Sequence, residues 1–310
     1  MGTIAIPLLL VVGGMLAVQA AANVQLATAI GNPIAAAALQ LAIGASLLLA
    51  LALAVGTLGA FRLLPGVTPW HLVGGVASAL YVTAGILLFP RLGAVVTVGV
   101  LITGQMLASV LLDGLGLVGL RSKPVTIVTV IGLAAVLTGA AGVVRAQGGT
   151  EALRQAGRER TLWLVLALLA GAGLPIQGAI NAQLRLDLRA PITVGAFSFI
   201  VATAAMGLVL TASQTLAVTP RPQAGRLREV PWWGWLGGFV GATYVTSVFL
   251  LVPVIGAAPT VALTVAGQQL ASLTVDRCGL LRLPRRPIAP ARLVGVAVLL
   301  IGVAFLQLVG

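Results

Sequence analysis

The sequence predicts an all-α polytopic membrane protein in which ten transmembrane helices form two inverted five-helix repeats. Three observations lead there. Charged residues make up 8% of the chain against 59% hydrophobic ones, and the mean hydropathy is +1.13, whereas soluble domains carry about 25% charged residues. The first charged side chain is Arg62, and the intervals 124–144, 161–184 and 190–220 carry no charge; a spanning helix needs only about 20 apolar residues. The third observation is that the chain repeats itself.

Gln19-Ala20-Ala21-Ala22-Asn23-Val24-Gln25-Leu26 aligns with Gln177-Gly178-Ala179-Ile180-Asn181-Ala182-Gln183-Leu184 at five identities in eight, and Pro33 matches Pro191 at the same offset. Residues 74–113 then align without a gap on 237–276, with 19 identical positions of 40. The shared residues include Gly74-Gly75, Tyr81-Val82-Thr83, Pro90 and Gly93. The densest stretch, Gly104-Gln105-Met106-Leu107-Ala108-Ser109 with Asp113 beyond it, returns as Gly267-Gln268-Gln269-Leu270-Ala271-Ser272 and Asp276. The repeats occupy 1–145 and 161–310, joined by a charged linker at 146–160. An odd number of helices per unit makes the second copy enter the membrane from the opposite side, an arrangement common in transporters.

Apolar runs read against Gly, Pro and Arg punctuation place the helices at 4–28, 33–57, 70–90, 92–114, 124–145, 160–185, 191–216, 232–252, 254–276 and 288–309. The first lacks a basic leader segment and has an internal counterpart, so it reads as a retained helix and not a signal peptide. Ile6 stands where a myristoylation motif wants Ser or Thr. Gly31-Asn32-Pro33 supplies a tight turn, since Gly and Asn tolerate left-handed backbone and Pro starts the next helix. Pro90 and Pro253 mark breaks before the fourth and ninth helices. Trp232, Trp233 and Trp235 beside Pro231 read as an interfacial anchor. His71, beside Trp70, reads as an interfacial residue, and Arg185, Asp187 and Arg189 as a solvated loop cluster.

The net charge of +12 lies in short connections between apolar runs, which argues against nucleic acid as a partner. With the N-terminus on one side, Arg62, Arg121, Lys123, Arg185 and Arg189 share that side, five of the eighteen basic residues. The other thirteen face the opposite side, which the positive-inside rule makes cytoplasmic, with both termini extracytoplasmic. Cys278 is the single cysteine, so there is no internal disulfide and no cysteine-based metal centre. No cofactor or metal is expected.

Polar side chains inside a bilayer face the protein interior or a water-filled path. Gln19 and Asn23, like Gln177 and Asn181, lie four apart on one helix face. Gln105, Ser109 and Asp113 follow the same spacing, as do Gln268, Ser272 and Asp276. Two readings stand: interhelical hydrogen bonds that hold the bundle together, or the lining of a substrate path. Tyr81 and Tyr244 sit at equivalent points away from the helix ends, where each could offer a ring face or hydroxyl to a substrate or simply pack. Inversion sends Asp113 and Asp276 to opposite faces of the membrane, about 30 Å of hydrocarbon apart. They are therefore candidates for gating or for anchoring helix ends. Gly74 with Ser78, and Gly237 with Gly241, are small-xxx-small pairs suited to close packing. Pro175 breaks the sixth helix, and its counterpart in the first is Ala17.

As a set, the Gln-x-x-x-Asn-x-Gln-Leu helix, Gly-Gly before Tyr-Val-Thr, Pro with Gly three residues on, and Gly-Gln-x-Leu-Ala-Ser with its later Asp resemble the YdcZ family of bacterial inner-membrane exporters, within the drug/metabolite transporter superfamily. The resemblance covers nearly the whole chain, in the fused antiparallel form. It implies small-molecule transport across the bacterial inner membrane, without a known substrate. A monomer or weak homo-oligomer is expected. Departures are Arg91, where the second half has Val254, and Gln269, an amide opposite Met106. The leading expectation is thus a secondary transporter; the alternative is a membrane assembly subunit without transport of its own. An intramembrane enzyme lacks the buried His, Asp pair or Cys arrangement that acid–base or nucleophilic work needs.

Overall fold

The structure is a computed structural model that describes residues 2–92, 94–146, 158–280 and 288–307. Among these the regular structure is helical throughout, with no strand. The α-helices in chain order are α1 (Gly2–Ile30), α2 (Pro33–Ala54), α3 (Gly74–Leu92), α4 (Ala94–Leu115) and α5 (Ile127–Ala146), then α6 (Arg158–Leu188), α7 (Pro191–Thr215), α8 (Leu236–Ile255), α9 (Ala257–Cys278) and α10 (Pro290–Gln307). Among the described residues seven segments are long and apolar enough to cross a membrane: Ala5–Ile30, Pro33–Ala54, Pro69–Leu88, Val96–Leu115, Thr161–Leu188, Pro191–Thr215 and Trp232–Ile255. Ile127–Val143 and Pro290–Leu306 are shorter apolar helices.

Local chemistry explains where these helices start. Gly31 takes a φ of 70°, and Asn32 caps α2 by accepting a 2.8 Å hydrogen bond from the Ala35 N–H. The Asn32 amide also donates to the Pro220 carbonyl at 2.6 Å and to Thr219 at 3.2 Å, so one buried side chain joins two connections. The matching turn before α7 has Arg189 at a φ of 51° and Ala190 at the cap, with no side-chain hydrogen bond. The third helix begins later than position 70, because Pro69–Val73 forms a 3-10 turn in which the His71 N–H bonds the Thr68 carbonyl at 2.9 Å. Its counterpart before α8 is the 3-10 turn Trp232–Trp235, closed by Gly234 N–H to Pro231 carbonyl at 2.8 Å.

Lipid supplies no hydrophobic drive for helix pairing, so close packing through small residues has to do it. A Cβ on Gly104 would overlap the Leu168 carbonyl and one on Gly171 the Leu101 carbonyl, which locks α4 onto α6. A Cβ on Gly13 would strike the Thr264 carbonyl and one on Gly267 the Leu10 carbonyl, which does the same for α1 and α9. Most pairings recur when the halves exchange: besides α4 on α6 and α1 on α9, α3 packs on α6 and α8 on α1, and α3 on α7 and α8 on α2; α2 pairs with α7 and α5 with α10. The main exception is α6 on α8, which has no comparable contact between α1 and α3.

At one end of the bundle the C-terminal ends of α4, α6 and α8 gather with the start of α9 and the turn leading into α3. At the other, the Ile30 carbonyl accepts from Gln223 N–H at 2.9 Å, and Gln40 of α2 bonds the turn that opens α8.

Opposite changes in stability are expected at the two interhelical turns. Asn32→Ala lowers it by about 1–2 kcal/mol through the lost cap, and Arg189→Gly raises it by roughly 1 kcal/mol by relieving a left-handed residue. Thermal unfolding of the purified protein measures both.

Candidate functional site

The chain is interrupted between α8 and α9 at Gly256, whose φ of 102° is open to glycine and strained for other residues. A helix break leaves backbone N–H and C=O groups without intrahelical partners. Here both kinds are met from α4 and the segment after it. Asp113 accepts from the Ala257 N–H through Oδ1 and from the Ala258 N–H through Oδ2, each at 2.7 Å. The Lys123 ammonium donates to the Ile255 carbonyl at 2.9 Å, and its own N–H bonds the Asp113 carbonyl at 2.7 Å. The acid thus meets the positive end of α9 and the base the negative end of α8. Asp113 is 8% exposed with both oxygens occupied, which makes it an anchor for α9. The Asp276 side chain lies outside the described residues.

Gln177 and Asn181 are 2% and 1% exposed on α6. Ser78 of α3 donates to Gln177 Oε1 at 2.8 Å; Gln177 and Asn181 donate to Ser198 of α7 at 3.4 and 3.0 Å. These bonds tie α6 to both neighbours. Asn181 Oδ1 has no hydrogen-bond partner and lies over Gly74. In the first half Gln19 and Asn23 are half-buried on α1, against Gly241 and Gly237 of α8. Asn23 Oδ1 is also unpartnered. The hydroxyl groups that satisfy α6 are missing here: Gly241 replaces Ser78, and Gln40 replaces Ser198. Gln40 instead donates to the Gly234 carbonyl and accepts from the Gly238 N–H, both at 2.7 Å.

The two tyrosines come together. The Tyr81 phenol of α3 lies beside Gln105 of α4, the Tyr244 phenol of α8 lies beside Thr264 of α9, and the phenols are within electrostatic range of each other. Gln105 and Tyr244 are buried, whereas Tyr81 and Gln268 are half-buried. The result is a patch of two phenols, the Gln105 amide and the Thr264 hydroxyl that can donate and accept hydrogen bonds and that carries no formal charge. Ser109 turns back to the Met106 carbonyl of its own helix at 2.8 Å. Ser272 does the same to Gln269 at 2.8 Å and accepts from Arg292 at 3.0 Å.

Several contributors are not evident from residue identity. Gln40, Ser198 and Thr264 are hidden because each faces a different residue type at the equivalent position of the other half. Arg292 counts in sequence among the thirteen cations of one face but is buried at 5% exposure in the first turn of α10. Asp187 pairs with His71 Nδ1, because α6 continues to Leu188 and carries it across to the turn before α3. Arg185 reaches the Leu250 carbonyl at 3.5 Å instead of joining a loop cluster. Among the described residues no group of three His, Cys, Asp or Glu side chains could hold a metal.

A family model described as "Putative inner membrane exporter, YdcZ" matches residues 4–142 and 162–305. The chain belongs to the YdcZ family. It is therefore a multi-pass inner-membrane protein of an exporter family. A crystal structure matches over 99% of this chain and 96% of its own, with a TM-score of 0.67 and 19% sequence identity. At that identity the likeness shows the fold alone. No curated protein matches the chain.

Asp113→Ala should cost roughly 3 kcal/mol, since it removes two hydrogen bonds to a charged acceptor and strands two N–H groups. Asp113→Asn, which keeps one acceptor, should cost about half as much. Unfolding of the purified variants in mixed micelles reads the ordering.

Proposed function

We propose that this YdcZ-family protein is a secondary transporter exporting a small metabolite or toxic compound by alternating access between two inverted repeats. The repeats are residues 1–145 and 161–310, joined by a cytoplasmic linker at 146–160, with ten transmembrane helices and both termini extracytoplasmic. The observation that carries this reading is that the main helix pairings recur when the halves exchange roles, α6 on α8 excepted, with Tyr81 and Tyr244 near each other from equivalent helices. Two units packed in this way can trade conformations around a shared centre, which is the geometry alternating access requires. Helices ending at opposite ends of the bundle also support inversion: the end of α1 meets Gln223, while the end of α6 meets His71.

The substrate contacts are the uncharged patch of Tyr81, Gln105 and Tyr244, together with Gln268, Gln19 and Asn23. Gln177, Asn181, Ser109 and Ser272 hold that patch in place through the bonds described above. At the extracytoplasmic end, the Asp113 anchor and the His71–Asp187 pair tie helices that alternating access has to separate. Asp113 has an identical counterpart in Asp276, whereas Gly234 and Ala29 stand where His71 and Asp187 would be. The two gates are accordingly unequal.

Purified protein in sealed liposomes should release members of a solute panel faster than empty liposomes do. Gln105→Leu and Tyr81→Phe, which delete one hydrogen-bonding group each, should lower flux by roughly tenfold at unchanged folded yield. Wild-type flux in both removes these residues from the path, and no flux for any solute sinks the transport reading.

Orientation has its own test. In a Cys278→Ser background, Arg62→Cys should react with an impermeant maleimide in intact cells and Arg226→Cys only after lysis. The reverse pattern overturns the topology.

A further inference from the structure

The helices α5 and α10 cross so closely that their outer surface stays unfilled. Gly142 faces Gly295, Gly139 lies against the Leu299 backbone, and Gly302 against that of Val136. With glycine at the crossing and alanine beside it, no side chain covers the outward side, and a groove of about 760 Å³ remains there. Ala141, Gly295, Val294 and Val298 give it apolar walls, with Thr138 at the inner end and Arg145 at the outer. Arg145 is exposed in the last turn of α5 and makes no ion pair among the described residues.

We propose that this groove binds an anionic phospholipid, its phosphate at Arg145 and an acyl chain along Ala141, Val294 and Val298. Dimensions fit that occupant. From Arg145 to Thr138 is seven residues, about 10 Å along a helix, and one leaflet of hydrocarbon is about 15 Å deep. The groove therefore runs from headgroup level through most of one leaflet. Charge selects the headgroup: the face that ends in Arg145 is the basic one, and in sequence Arg154, Arg158, Arg160, Arg282, Arg285 and Arg286, against Glu151 and Glu159, lie in or beside the two segments that adjoin α5 and α10. The same charge argues against a second copy of this chain as occupant. A two-fold axis along the membrane normal sets equivalent residues at one depth, which would bring Arg145 towards its own copy, whereas a phosphate neutralises it.

The proposal is independent of transport and is tested without it. The full chain in mild detergent is offered equal amounts of phosphatidylglycerol and phosphatidylcholine with the same acyl chains, and retained lipid is counted by native mass spectrometry. Preferential retention of phosphatidylglycerol is expected. Arg145→Gln should reduce it about fivefold, the weight of one basic residue at an anionic surface. Ala141→Trp, which fills the groove from its exposed side, should abolish retention, while Arg62→Gln on the opposite face leaves it intact. Equal retention of both lipids, or no change in Arg145→Gln, overturns the proposal. Loss of a dimer in Ala141→Trp with lipid retention unchanged also overturns it, by making the groove a contact between copies.

Discussion

Within or beside hydrocarbon, a helix cannot be interrupted unless the freed backbone groups find partners in the protein. The α8–α9 break meets this constraint with a carboxylate and an ammonium. Asp113 takes the first two N–H groups of α9, Lys123 takes the last carbonyl of α8, and the two residues are joined through their own backbones. Because both come from the first half and the break lies in the second, the closure also fixes the halves to each other. Both members of this pair are charged residues in a chain that is 8% charged, and what they satisfy is backbone.

Around that anchor, packing and polarity divide the work. Backbones meet at Gly104, Gly171, Gly13 and Gly267, each at the equivalent crossing of the two halves. Polar side chains then sort by whether a partner is within reach. On α6 the amides of Gln177 and Asn181 find Ser78 and Ser198 and become ties between helices. On α1 the same residue types face glycines and stay half-buried. A single motif serves as scaffold in one half and as candidate lining in the other, and the neighbours decide which.

Divergence between the halves is therefore as informative as their identity. Leu101 against Thr264 gives the two tyrosines different partners, Gln105 for one and Thr264 for the other. The two tyrosines occupy equivalent positions of the halves yet have unlike neighbours.

The sequence by itself determined the membrane class, the helical fold and the internal duplication. Charge depletion and apolar run length follow from the bilayer as solvent, and a repeat shows directly in residue identity. It also placed the Gly31-Asn32-Pro33 turn, because cap and φ requirements act over a few neighbouring residues. Only the tertiary structure decided what each polar residue does. Asp113 acts on Ala257 and Ala258 across 144 and 145 positions of chain, and His71 meets Asp187 across 116. Spacing along one helix tells which side chains share a face, but partners on other helices depend on crossing geometry. That geometry is set by where glycines let two backbones touch.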